Sequence, residues 1–376
     1  MKHGAPRARL MSKRRRVTPS RNPLPPGACI GIVGGGQFGR MLALAAAELG
    51  FQTHVFCPEE NAPATQVASF STQADYQNKP ALDRFSQSVD VVTYEFENIP
   101  VDTVAHIETQ KPVLPSAKAL EVAQDRWVEK SFMRELGLGV ADFYDITSEA
   151  DLRAALEATQ GQGILKTRRF GYDGKGQWRL DANSDLAATM AELDGQSAIL
   201  EALVPFEREI SLLVARNPNG ETATFDAIEN VHKNHILHTS TLPAQLSDAQ
   251  ASQAQAMATK IAEALDYVGV LAIECFVTRQ GLLVNEIAPR VHNSGHLTQD
   301  ACHCGQFEQH IRAIASWPLG DARAHSNAVM TNLLGDEVND WQDWAAQEAT
   351  YLHFYGKAEA KPGRKMAHVT RLTPRR

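Results

Sequence analysis

The sequence predicts a multidomain protein of mixed α/β and α+β class, in which a small parallel-sheet domain precedes a domain with a more antiparallel sheet. From residue 28 onward, short apolar runs alternate with segments whose apolar residues recur at helical spacing. From residue 126, strand-like stretches follow one another with fewer helices between them. The chain has 376 residues, 43% of them hydrophobic and 22% charged, so it can bury two or three cores.

The first domain is predicted to span residues 28–125. An apolar run at 28–33 is followed by Gly34, Gly35 and Gly36, and then by a helical pattern that ends before Gly50. Further strands are expected at 52–57 and 89–93, and further helices at 81–85 and 101–108. This alternation is typical of a Rossmann-like parallel sheet that is wound with helices.

The second domain is predicted to span residues 126–316, and a small C-terminal domain residues 317–376. The expected elements of the second domain are strands at 163–166, 198–201 and 209–216, a helix at 248–265 and a hairpin at 270–286. The C-terminal domain has strand-like stretches at 350–355 and 365–370.

Charge and cysteine content exclude several protein classes. Eight of the 37 Lys and Arg residues, and no acid, lie in residues 1–27, so the rest of the chain carries about −15 and is a poor nucleic-acid binder. No apolar run approaches the length of a membrane span. Five irregularly spaced cysteines favour a reducing compartment and a cytoplasmic protein. Residues 1–27 are expected to be a disordered basic leader, with nucleic-acid tethering and organelle targeting as alternatives.

A glycine motif follows the first predicted strand. Gly34, Gly36 and Gly39 form a G-x-G-x-x-G at the start of a helix, where backbone N–H groups can bind a phosphate. A dinucleotide site would also need an acid after the second strand, and Glu59 or Glu60 could serve. The alternative is a tight turn that needs glycine without any ligand.

A second glycine-rich segment is more specific. Lys166 ends a predicted strand, and the loop after it contains three glycines, an acid and a second lysine in residues 171–177. Such a loop can fold over a polyphosphate, with its N–H groups and ammonium directed at the phosphate oxygens. The alternative is a surface hairpin with solvated charges.

Two glutamates are predicted to face each other in the hairpin near residue 280. If residues 273–278 and 282–287 pair around a turn at 279–281, Glu274 lies opposite Glu286. Adjacent carboxylates repel each other, and a hard cation such as Mg²⁺ relieves the repulsion. The alternative is a pair of splayed, solvated side chains.

Polar residues directly follow this hairpin. Arg290, His292, Asn293 and His296 could stabilise an anion that forms at a γ-phosphate. The nearby segment Cys302-His303-Cys304 lacks the paired spacing of a zinc site and is interpreted as structural.

A longer series of motifs resembles one enzyme family. In order along residues 30–369, the chain contains GIVGGGQFGRML, TYEFENIP, KTRRFGYDGKGQW, ECFV, NEIAPRVHNSGH, QFEQHIRAI and YGKAEAKPGRKM. Together they resemble the ATP-grasp enzymes of the N5-carboxyaminoimidazole ribonucleotide synthetase family of purine biosynthesis. The resemblance implies an ATP-grasp fold with an N-terminal pre-ATP-grasp domain, and a homodimer.

The resemblance also implies an activity. Such enzymes use ATP, bicarbonate and Mg²⁺ to carboxylate the amine of 5-aminoimidazole ribonucleotide through carboxyphosphate, releasing ADP and phosphate. Two alternatives stay open: another ATP-grasp ligase, such as a formate-dependent glycinamide ribonucleotide transformylase, or a nucleotide-binding protein without turnover. Ala367-His368 replaces the family's common Gly-His, and the chain ends at Arg376, earlier than the family pattern predicts, so the C-terminal domain is expected to be less stable.

Site residues follow from the resemblance position by position. The implied metal ligands are Glu274 and Glu286. The implied ribonucleotide contacts are Gly36, Gln37, Tyr172, Lys357 and Arg364. The implied catalytic residues are Arg290, which would hold the carboxyphosphate anion, and Asp173 and His292, which compete for the role of proton acceptor. The implied ATP contacts are Arg126, Lys166, Gly171, Tyr172, Asp173, Gly174, Lys175, Gly176, Gln177, Glu201, Ala202, Leu203, Val204, Glu209, His232, Asn285 and Glu286.

Overall fold

The computed structural model describes residues 16–171 and 174–375. The predicted contacts Tyr172 and Asp173, and residues 1–15 of the predicted leader, therefore lie outside the described residues. The elements of the N-terminal region are β1 (Cys29–Val33), α1 (Gln37–Glu48), β2 (Gln52–Cys57), β3 (Phe70–Gln73), α2 (Lys79–Gln87), β4 (Val91–Tyr94), α3 (Val101–Ile107) and α4 (Ala117–Gln124).

The N-terminal strands form a parallel sheet in the order β3-β2-β1-β4. Every residue of the central strand β1 is buried, and every residue of β4 is buried too, although β4 ends the order and has only an isolated bridge from Val92 to Val113 on its other side. The strand β3 was not predicted, because it is an edge strand with mostly exposed, polar residues and has no apolar pattern. The parallel sheet places the carboxyl ends of β1 and β4 side by side.

A small antiparallel sheet follows in the order β5-β8-β6-β7. Its apolar core is separate from the others and contains Leu152, Leu165 and Leu200. The elements of this region are α5 (Arg126–Glu135), β5 (Phe143–Ile146), α6 (Glu149–Ala158), β6 (Gln162–Thr167), β7 (Gln177–Asp181), α7 (Leu186–Glu192) and β8 (Ala198–Ala202).

The remaining strands form a large antiparallel sheet in the order β14-β13-β9-β11-β12-β15-β17-β16, with β10 paired to β9. The strands of the C-terminal region therefore extend the sheet of the second region. The remaining elements are β9 (Arg208–Arg216), β10 (Thr222–Thr224), β11 (Ile228–Lys233), β12 (Ile236–Leu242), α8 (Asp248–Ala264), β13 (Gly269–Thr278), β14 (Gly281–Ala288), α9 (Thr298–Ala301), α10 (Gln306–Ile314), β15 (Ser326–Leu334), α11 (Trp341–Ala345), β16 (Thr350–Phe354) and β17 (Lys365–Pro374), with short 3₁₀ helices at Asn293–Leu297 and Gly335–Asp340.

One apolar core joins the N-terminal sheet to the large sheet. Leu42 of α1, Leu213 of β9, Val270 of β13 and Met330 of β15 belong to the same buried cluster. The helix α1 packs against α10, which in turn packs on β13. This shared core fixes the amino end of α1, where the glycine motif lies, relative to the end of β14.

Part of the predicted leader does not behave as a disordered extension. The Val17 N–H donates to the Glu108 carbonyl at 2.9 Å, and the Leu24 N–H donates to the Ala315 carbonyl at 2.9 Å. The Trp317 indole donates to the Leu24 carbonyl at 2.8 Å. The expectation of disorder is therefore wrong for residues 16–27, because these residues contribute backbone groups and a leucine side chain that pair and pack with the body.

Within the described part of the chain, no helix is both long enough and apolar enough to cross a membrane.

Candidate functional site

The β13–β14 hairpin brings the two predicted metal ligands together. Glu274 and Glu286 are direct partners in the register, which confirms the predicted pairing. The turn differs from the prediction: Thr278 pairs with Gly281, so the turn has two residues, and a bulge at Asn285 restores the pairing of the glutamates. A local irregularity therefore decides which side chain faces Glu274.

Each of these glutamates has a basic partner. The Glu286 carboxylate accepts from Arg126 Nη1 at 2.8 Å, and Glu274 Oε1 lies 3.1 Å from His292 Nε2. The oxygen of the intervening side chain, Asn285 Oδ1, is buried and has no hydrogen-bond partner among the described residues. Carboxylate and amide oxygens are the donors that Mg²⁺ and Ca²⁺ prefer, so this set fits a hard divalent cation.

A buried ion cluster lies between the small sheet and the large sheet. Glu201 of β8 accepts from Lys166 Nζ at 2.8 Å through Oε2, and Lys130 Nζ lies 3.2 Å from its Oε1. We call Arg126, Lys130, Lys166, Glu201 and Glu286 the inter-sheet cluster. It places three cations against two carboxylates, which leaves a net positive charge to attract an anionic ligand.

Burial and charge shift the pKa values in this cluster in opposite directions. Burial raises the pKa of Glu201, but the charges of Lys166 and Lys130 outweigh it and lower the pKa to about 2. Burial lowers the pKa of Lys166, because it disfavours the ammonium form. The neighbouring Glu129 has its pKa raised to about 8 by burial and by the charge of Glu286. Two buried glutamates in one site therefore differ in protonation at neutral pH.

The glycine-rich loop after β6 reaches towards the large sheet. A Cβ at Gly171 would lie 3.1 Å from the Lys175 carbonyl oxygen, and one at Gly174 would lie 2.7 Å from His235 Cγ. Gly174 and Gly176 both have positive φ, which side chains other than glycine rarely adopt. Gln177 opens β7, beyond Lys175 and Gly176. The close approaches explain why this loop needs glycine.

The other predicted ATP contacts lie on the large sheet and at the end of β8. Glu209 of β9 and His232 of β11 are joined by a short hydrogen bond between Oε2 and Nδ1, and both are half-buried. The Ala202 N–H already donates to the Asp142 carbonyl at 2.8 Å, whereas Leu203 and Val204 are half-buried in the segment after β8. Glu209 and His232 therefore offer a carboxylate and an imidazole on the large sheet, whereas Leu203 and Val204 directly follow a strand of the small sheet.

A second polar site lies at the amino end of α1. Lys357 Nζ donates to Gln37 Oε1 at 2.7 Å, and Phe38, the next residue, lies 4.8 Å below the Arg290 guanidinium. Arg290 also forms an ion pair with Glu97, which follows β4. Arg364, which is close to Lys357 in the sequence, is half-buried and donates to the Glu359 carbonyl at 3.0 Å. We call Gln37, Phe38, Arg290, Lys357 and Arg364 the α1 group.

Three family models match successive parts of the chain. They are the ribonucleotide synthetase preATP-grasp domain at residues 28–124, the ATP-grasp domain at 131–307 and the phosphoribosylaminoimidazole carboxylase C-terminal domain at 328–376. The N5-carboxyaminoimidazole ribonucleotide synthase of Brucella melitensis is 50% identical over 355 residues, which cover 94% of this chain and 98% of that one. The chain belongs to this synthase family.

Solved structures of the family superpose closely. The Staphylococcus aureus synthetase complexed with ADP has a TM-score of 0.89 at 35% identity and covers 94% of this chain and 95% of its own. The Aspergillus clavatus synthase, solved with ADP and 5-aminoimidazole ribonucleotide, has a TM-score of 0.87 at 27% identity, with 93% and 94% covered. The predicted ATP-grasp fold with a pre-ATP-grasp parallel sheet and a C-terminal domain is confirmed. Members of the synthase family are ATP-dependent ligases.

Sequence reasoning missed two acids that organise the α1 group. Glu95 is buried at the end of β4, and its carboxylate accepts from the N–H groups of Gly36 at 2.8 Å and Gly39 at 3.2 Å. Burial raises the pKa of Glu95. Two N–H groups of the glycine motif are therefore taken by a carboxylate of the protein, which excludes them as the dinucleotide-phosphate site considered above. The signal in the sequence was the alternation of acids, Glu95 and Glu97, directly after a buried strand.

Sequence reasoning also missed Glu129 and Lys130, because helical side chains with these charges are usually solvated. Their relative accessibilities are 2% and 0%. Buried ionisable residues of this kind are recognised only once their partners are known.

Proposed function

We propose that this chain carboxylates 5-aminoimidazole ribonucleotide with ATP and bicarbonate, releasing ADP and phosphate. The observation that carries the proposal is the junction between the two polar sites. Gln37 and Phe38 are adjacent on α1, and one contacts Lys357 while the other contacts Arg290. A ribonucleotide held at Lys357 would therefore have its base directed towards Arg290 and the inter-sheet cluster.

The first step is phosphoryl transfer. A bicarbonate oxygen attacks the γ-phosphorus of ATP and the bond to ADP breaks, which gives carboxyphosphate. Arg126 and Lys166 offset the negative charge that spreads over the phosphoryl oxygens, and Gly171, Gly174 and Gly176 allow the loop to approach the phosphates. We propose that Glu209 and His232 bind the ribose end of the nucleotide, while Leu203 and Val204 offer backbone groups to adenine.

The metal of this step is proposed to be Mg²⁺. Glu274 and Glu286 would hold it with help from the Asn285 amide oxygen, which is buried without a partner among the described residues. When bound, Mg²⁺ would neutralise phosphate charge. The ion pair with Arg126 lowers the pKa of Glu286 and orients its carboxylate, and the contact with His292 orients Glu274.

The second step is capture of CO₂. Carboxyphosphate breaks into CO₂ and phosphate, the amine of the ribonucleotide attacks the CO₂ carbon, and a proton leaves the nitrogen. Arg290, held by Glu97, is proposed to bind the carboxyphosphate anion. Asp173 is the proposed proton acceptor, and His292 is the competing assignment. Tyr172, Gly36 at the N-cap of α1 and Gln37 would contact the ribonucleotide, and Lys357 and Arg364 would contact its phosphate.

The test is phosphate release with each candidate acceptor. We expect release that requires bicarbonate and 5-aminoimidazole ribonucleotide together, with a product that decarboxylates in acid. Release that instead requires formate and glycinamide ribonucleotide would assign the chain to the transformylase alternative. Binding of ADP with no release under any combination would indicate a nucleotide-binding protein without turnover.

We further propose a cytoplasmic homodimer. All five cysteines are free and buried, which is typical of a reducing compartment. Light scattering coupled to gel filtration checks the mass, and a monomer at micromolar concentration would contradict the dimer.

A further inference from the structure

One turn of α5 contacts three consecutive residues of β14. Arg126, Glu129 and Lys130 are spaced i, i+3 and i+4, so they share one face of the helix. That face meets the edge of the large sheet at Asn285, Glu286 and Ile287. The middle residue of the three is a proposed metal ligand.

The two outer contacts are made to the backbone. Lys130 Nζ donates to the Asn285 carbonyl at 2.9 Å, and the Ile287 N–H donates to Glu129 Oε1 at 2.6 Å. Both α5 side chains are almost completely buried. The backbone is therefore held on each side of Glu286, while Arg126 holds its side chain.

These contacts replace sheet hydrogen bonds. The strand β14 lies at the edge of the large sheet, so a row of its backbone groups has no neighbouring strand to pair with. A buried unpaired group costs about 1–3 kcal/mol, and Glu129 and Lys130 supply the missing partners. They do so at the bulge, where the ladder is locally interrupted.

The bulge decides which way Glu286 points. A shift of one residue in register would turn every side chain beyond it to the opposite face of the sheet. The Glu286–Glu274 pairing therefore depends on the conformation at Asn285, which Lys130 contacts directly. Lys130 also forms an ion pair with Glu201 of β8, so the same ammonium contacts both β14 and the small sheet.

We propose that Glu129 and Lys130 are positioning residues that hold the bulge of β14 and thereby aim Glu286 at the metal that accompanies the nucleotide. The proposal rests on the metal role given to Glu286 above. It assigns these two residues to metal binding rather than to ribonucleotide recognition or to general stability.

The test measures metal binding without turnover. Mn²⁺ affinity in the presence of saturating ADP is followed by the electron paramagnetic resonance signal of free Mn²⁺, for the parent protein and for Lys130→Met and Glu129→Leu. We expect the dissociation constant of Mn²⁺ to rise at least about tenfold in both variants, as is usual when a residue that orients a metal ligand is removed. The KM for the ribonucleotide should stay within about twofold of the parent.

Two further variants separate positioning from stability. Glu129→Gln keeps an oxygen acceptor for the Ile287 N–H, so it should retain Mn²⁺ affinity within about threefold. Met133→Ala removes buried apolar volume from the core that α5 shares with β14, but it leaves both polar contacts to the β14 backbone in place, so it should lower the melting temperature while leaving Mn²⁺ affinity unchanged.

The outcomes are distinct. Parent-like Mn²⁺ affinity in Glu129→Leu, or an equal loss in Met133→Ala, would overturn the proposal. If Lys130→Met does not fold, the comparison of Glu129→Leu with Glu129→Gln decides alone. If ADP-dependent Mn²⁺ binding behaves as expected but no carboxylation is found, the proposed function fails and the positioning role stands.

Discussion

The inter-sheet cluster and the α1 group hold their charges in different ways. In the inter-sheet cluster, Lys130 and Lys166 are buried and share the buried carboxylate of Glu201 as their counter-charge. In the α1 group, Lys357 and Arg364 are only half-buried; Lys357 donates to the Gln37 side-chain oxygen and the Lys365 carbonyl, and Arg364 donates to the Glu359 carbonyl. A buried pair is costly to break because the remaining charge stays desolvated, whereas water can solvate a half-exposed cation. Loss of a charge in the inter-sheet cluster should therefore reduce both activity and stability, whereas loss of Lys357 or Arg364 should reduce activity alone.

The largest expected effect on stability is that of Glu201→Gln. Because Lys130 and Lys166 would lose their common counter-charge, the free energy of unfolding should fall by about 3 kcal/mol at pH 7. Urea denaturation measures it, and Glu149→Gln, which breaks an exposed pair with Arg153, should change it by less than about 0.5 kcal/mol. Equal changes in both variants would remove the contrast between buried and exposed charges.

This effect should also depend on pH in a defined direction. The pKa of Glu201 in the folded protein is about 2, below its ordinary value of 4.5. A depressed carboxyl pKa contributes stability that is present above pH 4.5 and is lost as the pH falls towards 2. The difference between parent and Glu201→Gln should therefore shrink over that interval.

The next effect is on turnover, in Glu286→Gln. Loss of one metal-binding charge should remove about 2.7–4 kcal/mol of transition-state stabilisation. The rate of phosphate release should therefore fall about a hundredfold or more. Repulsion between Glu274 and Glu286 alone would predict a more stable variant in metal-free buffer. The ion pair with Arg126 opposes that gain, so no stabilisation is expected. The exposed Glu207→Gln is the matched control, and near-normal turnover in Glu286→Gln would exclude its metal role.

A smaller effect is expected in the α1 group. Arg364→Ala should raise the KM for the ribonucleotide about tenfold, because one charge-assisted hydrogen bond to phosphate is lost. The KM for ATP and the melting temperature should barely change. Lys361→Ala, an exposed neighbour paired with Glu359, is the control. A larger rise in the KM for ATP than for the ribonucleotide would reverse the assignment of the two regions.

A small effect, on stability alone, is expected from the leader, which belongs to neither region. Deletion of residues 1–26 removes the backbone contacts of Val17 and Leu24, so unfolding should become easier by about 1–2 kcal/mol. Neither KM should change. Calorimetry and steady-state kinetics check this, and an unchanged melting temperature would show that the contacts contribute nothing.

The sequence determined the parts of this protein that depend on local pattern. Strands such as β2 and helices such as α1 were predicted because buried strands and amphipathic helices have distinct apolar spacing. The pairing of Glu274 with Glu286 was predicted because the two residues lie in one hairpin, where a short turn limits the possible registers. Even there, the sequence pattern predicted neither the two-residue turn nor the bulge at Asn285.

Only the tertiary structure decided which buried charges meet. Lys130 contacts Asn285, which lies 155 positions away in the chain. Glu95, which follows β4, accepts hydrogen bonds from the N–H groups of Gly36 and Gly39, which follow β1. Nothing in the local sequence distinguishes Glu129 and Lys130 from solvated helix residues. Their roles arise because α5 covers the open edge of β14, and an edge strand that is buried needs polar partners wherever no strand is available.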